Sequence, residues 1–289
     1  MDVRPACWTN AAPAYAVPLP ARRLRRIGSA RRVGRPAERT EAVIESGSST
    51  SSSTPPAGSA PPQGAGARPA GARNGARSSG DGGSALADWI TAWQPEEPPL
   101  VSARQRAAEV GVGAVDPPTG AVLRLLAATS GGKAVIELGT GAGVSSLWLI
   151  GGLQPTGILT SVDCESEHQR LAKASLAEAG VPSGRARLIG GRALDVLPRL
   201  SDAAYDLVFC DAARSENLDY LDAALRLLRP GGLVVFAGAL AGGRVAEPSV
   251  RDTDTVALRE LAKAVRDETR LVTAAVPVGA GLLVACLSV

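Results

Sequence analysis

From residue 84 onward, hydrophobic positions form short continuous runs separated by longer amphipathic stretches. Ala134–Leu138 is the first run that reads as a buried strand, and Ile158–Val162, Ala186–Ile189, Leu207–Cys210 and Leu233–Phe236 follow it. Between them lie stretches of helical spacing: Ser145–Ile150, Glu165–Ala179, Ala193–Leu200 and Leu218–Leu228. Short apolar strands alternating with amphipathic helices predict parallel βαβ units covered on both faces. The end of the chain differs. After a predicted helix over Thr255–Glu268, the runs Leu271–Val276 and Leu282–Leu287 are joined only by Pro277–Gly281, so they should pair as an antiparallel hairpin. Upstream, Ala85–Trp93 reads as a short helix stopped by the proline run 95–99. Ser102 reads as the cap of a helix reaching Val110, and Pro117-Pro118 as the opening of another with Val122, Leu125 and Leu126 on one face. The pattern is α/β, with a mostly parallel sheet.

The first 84 residues break this pattern. Seven arginines crowd residues 22–35, a serine-rich stretch spans residues 47–54, and Pro, Gly and Ala follow without a period. Ordering such a segment costs roughly 1–2 kcal/mol of chain entropy per residue, with little apolar surface to offset it. Residues 1–84 are therefore expected to be a disordered tail, and residues 85–289 a single domain. An acid-poor, Arg- and Ser-rich start also has the composition of an organellar transit peptide.

Charge follows the same division. Twelve of the 31 basic residues and five of the 28 acids fall in residues 1–84, a net +7, which leaves −4 for the rest of a chain whose total is +3. The basic total averages two unlike segments and gives no ground for a nucleic-acid partner. No apolar stretch approaches the roughly 18 residues a membrane span needs. The four cysteines are scattered and there is one histidine, which excludes a disulfide framework and a Cys- or His-based metal centre. These features predict a cytoplasmic protein with reduced thiols.

The candidate chemistry sits at the strand ends. Val135–Leu138 runs into Gly139-Thr140-Gly141-Ala142-Gly143, then into a helix near Val144. Glycines permit a sharp turn and close approach of a ligand, and the helix N-terminus offers free N–H groups. A dinucleotide fingerprint needs glycine at the sixth position from Gly139, where Val144 stands, so a nicotinamide oxidoreductase is disfavoured. Glu137 places a carboxylate just before the turn, which suits an ammonium or sulfonium and repels a pyrophosphate. The next strand ends in Asp163, 24 residues beyond Gly139, where an acid can accept hydrogen bonds from ribose hydroxyls or cap the following helix.

Four segments carry a family resemblance: 135–145 (VIELGTGAGVS), 159–163 (LTSVD), 205–211 (YDLVFCD) and 228–233 (LRPGGL). Together they resemble class I S-adenosylmethionine-dependent methyltransferases, in particular the small-molecule O-methyltransferases that include the catechol and caffeoyl-CoA enzymes, and their actinobacterial branch. The resemblance spans roughly residues 85–289. It implies a Rossmann-like seven-stranded sheet with a reversed final hairpin, a homodimer, S-adenosylmethionine as cofactor and a small-molecule methyl acceptor. By the same resemblance, Glu137, Gly139 and Ser145 would hold the methionine end, with Thr140 and Gly141 in the turn beside it. Asp163 would take the ribose, Gly191, Arg192 and Ala193 would flank the adenine, and Asp211 would lie beneath the sulfonium near the acceptor. Cys164 reads equally as an adenosine contact or a small core residue.

The chain also departs from that family. Relatives of the catechol type hold a divalent metal with a carboxylate at the position of Asp211 and an adjacent Asp-Asn, where this chain has Ala237-Gly238. Their basic lysine corresponds to Arg214, which stays protonated. Gly279-Ala280-Gly281 replaces the usual Gly-Asp-Gly. These differences point to transfer without a metal, with Asp211 as the remaining carboxylate at the acceptor, and leave open a cofactor-binding protein without catalysis. The segment Ala239–Arg251 is expected either over the acceptor side or as an ordinary surface loop. His168 is expected on the exposed side of its helix, as a surface or cofactor-edge residue and not a base, Tyr205 and Tyr220 in the core, and Trp89 with Trp93 on a packing or dimer face.

Overall fold

The computed structural model describes residues 81–288. The tail expected upstream lies outside the described residues, apart from Asp81–Ser84, which begin the first helix. In chain order the elements are α1 (Asp81–Trp93), α2 (Pro98–Glu109), α3 (Pro117–Thr129), β1 (Ala134–Leu138), α4 (Val144–Gly152), β2 (Ile158–Asp163), α5 (Ser166–Glu178) and β3 (Ala186–Gly190). There follow α6 (Ala193–Val196), β4 (Tyr205–Cys210), α7 (Asn217–Leu227), β5 (Leu228–Phe236), α8 (Thr253–Asp267), β6 (Leu271–Val276) and β7 (Leu282–Leu287).

The strands form one seven-stranded sheet in the order β3-β2-β1-β4-β5-β7-β6. β1 pairs in parallel with β2 and with β4, and only β7 runs antiparallel to its neighbours β5 and β6. The hairpin predicted from Leu271–Val276 and Leu282–Leu287 has those bounds. Pleating divides β1 between two cores. Ile136 and Leu138 join Val208, Val234 and Phe236 against α7 and α8, while Val135 joins Leu207, Phe209 and Val235 against α3 and α4. Glu137 shares the face of Val135 and so lies buried beneath α4, a consequence of strand period alone.

Three expectations need correction. The proline run does not merely stop α1. Pro98 and Pro99 open α2, where a missing N–H costs no hydrogen bond, so Ser102 lies inside that helix rather than capping it. In α3, Asp116 caps the helix by accepting the Thr119 N–H at 2.8 Å. Its buried face is Thr119, Gly120, Leu123 and Ala127, and Leu125 points outward. The helix packs through small residues on α4, and a side chain at Gly120 would collide with the Trp148 indole. The stretch Ala193–Leu200 is α6 followed by a 3₁₀ turn at Leu197–Arg199, because Pro198 supplies no N–H to continue the helix.

Tyr220 is buried and its hydroxyl donates to Glu216 at 2.6 Å, and Tyr205 is partly buried, as expected of both. One buried acid anchors the sheet. Asp206 Oδ2 accepts the N–H groups of Lys133 and Ala134 at 2.7 and 2.8 Å, and Oδ1 pairs with Arg229 at 2.9 Å. This fixes where β1 starts against β4. The order of the sheet reverses between β1 and β4, so their C-terminal ends open the crevice where such folds bind ligands.

Candidate active site

The turn after β1 is stitched to both neighbouring strands. Gly139 donates to the Val162 carbonyl at 2.9 Å, and Asp211 donates its N–H to the Leu138 carbonyl at 2.8 Å. Gly139 adopts φ +92°, and any Cβ there would collide with the carbonyl of Asp211, so only glycine closes this junction. Glu137 lies fully buried beneath the turn. One oxygen, Oε2, accepts the hydroxyls of Ser146 and Ser161 at 2.5 and 2.6 Å, while Oε1 has no partner among the described residues. Burial pushes its carboxyl up to about 7, against the lowering influence of Ser145, Ser146 and Ser161, and the charge of Asp211 raises it further.

Asp163, at the end of β2, holds the same turn from the other side. Its Oδ2 accepts the N–H groups of Thr140 and Gly141, both at 3.0 Å, and Oδ1 accepts that of Glu165 at 2.9 Å. His168 completes the set, with Nδ1 3.2 Å from each carboxylate oxygen. Burial alone would raise the Asp163 carboxyl, but the His168 hydrogen bond and the N–H groups of Glu165 and Gly141 hold it below the usual range. The same hydrogen bond raises the imidazole of His168 against the effect of burial. The imidazole is not on an exposed side as expected: it is 14% exposed and turned onto Asp163.

Across the crevice, Asp211 and Arg214 follow β4, and Ala237 and Gly238 follow β5. Burial pushes the Asp211 carboxyl up to about 6, with the Arg214 charge drawing it down. These groups, the turn and Asp163 line one cavity of about 710 Å³. The α2–α3 connection closes one side of it and the β6–β7 loop another.

The cavity brings together Gly139, Thr140, Gly141, Ser145, Asp163 and Asp211 from the predicted set. Glu137 lies behind its wall. Cys164, Gly191, Arg192 and Ala193 do not line it. Gly191 is one step away, donating to the Asp163 carbonyl at 2.9 Å, whereas Arg192 reaches out to Glu216 at 2.7 Å and Ala193 is buried in the core. The segment Ala239–Arg251 does not line it either; Arg259 of α8 braces that segment through the carbonyls of Arg244, Val245, Glu247 and Val250. The residues missed are those of the α2–α3 connection, Val110–Asp116, with Thr119; His168, read as a surface or cofactor-edge residue, lines the cavity. The acid at Asp116 before a double proline marked a helix cap, but nothing local marked it as a cavity wall.

A divalent metal does not fit this acceptor side. Of the three positions that the resemblance assigns to ligands, only Asp211 carries a donor; Ala237 and Gly238 have none. No group of three His, Cys, Asp or Glu residues suited to a metal occurs among the described residues. A lone carboxylate leaves a hard cation far short of the six or more oxygens it takes.

Comparison with known proteins agrees with this geometry. A model of the O-methyltransferase family matches residues 100–287. A Mycobacteroides abscessus protein assigned as an O-methyltransferase is 51% identical over 190 residues, covering 66% of this chain and 88% of that one. The crystal structure of a Corynebacterium glutamicum protein superposes with a TM-score of 0.69 at 36% identity, covering 72% of this chain and 98% of that one. The O-methyltransferase TomG of Streptomyces achromogenes, crystallised with S-adenosylmethionine, superposes at 0.65 with 30% identity, covering 71% and 96%. With the family matched along most of the described residues, on a fold that places the glycine turn, Asp163 and Asp211 around one cavity, the chain belongs to the O-methyltransferase family.

Proposed function

We propose that the protein transfers a methyl group from S-adenosylmethionine to an oxygen of a small molecule, without a catalytic metal. The observation that carries this reading is the single cavity joining the glycine turn and Asp163 on one side to Asp211 and Arg214 on the other. Behind the cavity wall, Glu137 keeps one buried oxygen, Oε1, without a hydrogen-bond partner among the described residues, and a cofactor ammonium drawn to it would hold this carboxyl ionised. The N-terminus of α4, with Ser145, would receive the cofactor carboxylate. Asp163 would take the ribose, and Gly191, whose N–H donates to the Asp163 carbonyl at 2.9 Å, would stand at the adenine edge; Cys164, Arg192 and Ala193, which do not line the cavity, would lie behind it.

The cofactor, when bound, supplies an electrophilic methyl on a sulfonium. The chain aligns the acceptor with it and excludes water. Asp211 would accept the acceptor's hydroxyl proton as its oxygen takes up that methyl group. Arg214 cannot take that proton.

The protein is read as cytoplasmic; among the described residues no helix is long and apolar enough to cross a membrane. A homodimer is supported by α1, where Trp89 and Trp93 stack on each other yet stay 60% and 73% exposed. Light scattering at known concentration tests that state. The tail was expected over residues 1–84, but α1 already begins at Asp81, so deletion of residues 1–80 should leave cofactor affinity unchanged. Titration calorimetry with S-adenosylhomocysteine and with NAD tests the main reading: heat with the former and none with the latter is expected. The reverse would replace it with an oxidoreductase.

A further inference from the structure

The acceptor side of the cavity holds a fixed guanidinium next to a missing side chain. Arg214 opens the 3₁₀ segment after β4, and its Nη1 donates to Asp254 of α8 at 3.0 Å. That bond engages Nη1, and the described hydrogen bonds use no other nitrogen of the guanidinium. Gly238 faces it from the end of β5. A Cβ there would stand 3.3 Å from Nη2, and Gly238 takes φ +61°, so the absence of a side chain at 238 and the presence of the guanidinium occupy one volume. Both residues line the cavity beside Asp211 and Ala237, with Val115, Val278 and Leu282 as apolar walls.

Arginine presents a planar, permanently charged fork that matches the two oxygens of a carboxylate. A compact dianion would meet Asp211 and Asp116, which line the same space. A planar monoanion with an apolar body suits the guanidinium edge and the aliphatic walls together. We propose that Arg214 recognises the methyl acceptor, and that the acceptor is a small hydroxycarboxylic acid whose carboxylate lies on the Nε–Nη2 edge of Arg214. This rests on the methyltransferase reading of the cavity.

The test uses the full chain saturated with S-adenosylhomocysteine, in EDTA. The three hydroxybenzoates and their three neutral amides are titrated into wild type, Arg214→Gln and Arg214→Lys. At least one hydroxybenzoate should bind wild type tenfold or more tightly than its amide. Arg214→Gln should abolish that preference and Arg214→Lys should retain part of it, with S-adenosylhomocysteine affinity unchanged in both. Equal binding of acid and amide, an unaffected Arg214→Gln protein, or no binding of any hydroxybenzoate to the saturated complex would overturn the proposal. Failure to bind S-adenosylhomocysteine at all would instead sink the methyltransferase reading, and this proposal with it.

Discussion

Asp163, at the end of β2, holds the backbone of the glycine turn after β1: its Oδ2 accepts the Gly141 N–H at 3.0 Å. The carboxylate thereby shapes the turn against which a cofactor would lie. Asp163→Ala should weaken S-adenosylhomocysteine binding by more than about 1 kcal/mol, as hydrogen bonds to a charged group are lost. It should also speed amide exchange at Thr140 and Gly141. Unchanged affinity with altered exchange would confine Asp163 to a structural part, and calorimetry alongside exchange measurements separates the two.

The pairing of His168 with Asp163 has a defined pH signature. The His168 pKa is raised in the fold and that of Asp163 lowered, so the pH window in which both are charged is wider at both ends than in the unfolded chain. The histidine's contribution to stability is complete below 6.5 and is lost as pH rises through its folded value. The aspartate's contribution is complete above 3.8 and is lost as pH falls through its own. Asp163→Asn should therefore bring the His168 titration, followed by NMR, down toward 6.5. A titration that does not move would contradict the contact.

Glu137 behaves in the opposite sense. Its folded pKa of about 7 exceeds the ordinary 4.5, so the folded state holds a proton that the unfolded chain releases, and stability falls as pH rises from 4.5 through about 7. Glu137→Gln should remove that slope and raise the melting temperature at pH 8. If the carboxylate receives the cofactor ammonium, the same variant should lose cofactor affinity above pH 7, where wild type binds best. A more stable protein that binds less well is the expected outcome, checked by melting and titration across pH.

How much of this was readable beforehand depends on whether the signal is local. β1 was plain because Ala134–Leu138 is apolar except for Glu137, and the cofactor side because Gly139, Gly141 and Asp163 sit at strand ends within one βαβ unit. The phase of α3 was not, since its buried face is made of Thr119, Gly120 and Ala127 and an exposed Leu125 competes with it in any hydrophobic pattern. The contact of His168 with Asp163 was not readable, because it depends on how the first turn of α5 sits over the end of β2. Three of Asp163's partners are backbone N–H groups, which leave no mark in a sequence. The cavity wall at Val110–Asp116 belongs to a connection whose place is set only once α2 and α3 have packed.

Asp206 offers a test of the fold apart from the site. Removing its carboxylate strands the N–H groups of Lys133 and Ala134 and the guanidinium of Arg229. Asp206→Ala should cost about 3 kcal/mol, mostly from the two orphaned donors, since Arg229 retains some access to water. Chemical denaturation measures this. A loss below about 1 kcal/mol would mean that water reaches the start of β1.

If Asp211 is the base proposed above, its carboxyl, near 6, must be ionised to accept a proton, so the rate of methyl transfer to any phenolic acceptor should rise through about pH 6 and then level. Asp211→Asn should lower that rate roughly 10²-fold or more while leaving S-adenosylhomocysteine bound. Because the charge of Asp211 also raises Glu137, the variant should draw the Glu137 titration below about 7. A merely structural Asp211 would disturb folding without that paired signature in the rate profile. Transfer should persist in EDTA, since only one of the three expected metal ligands is present, and a strict Mg²⁺ requirement would return the acceptor side to metal chemistry and leave Asp211 as a ligand instead of a base.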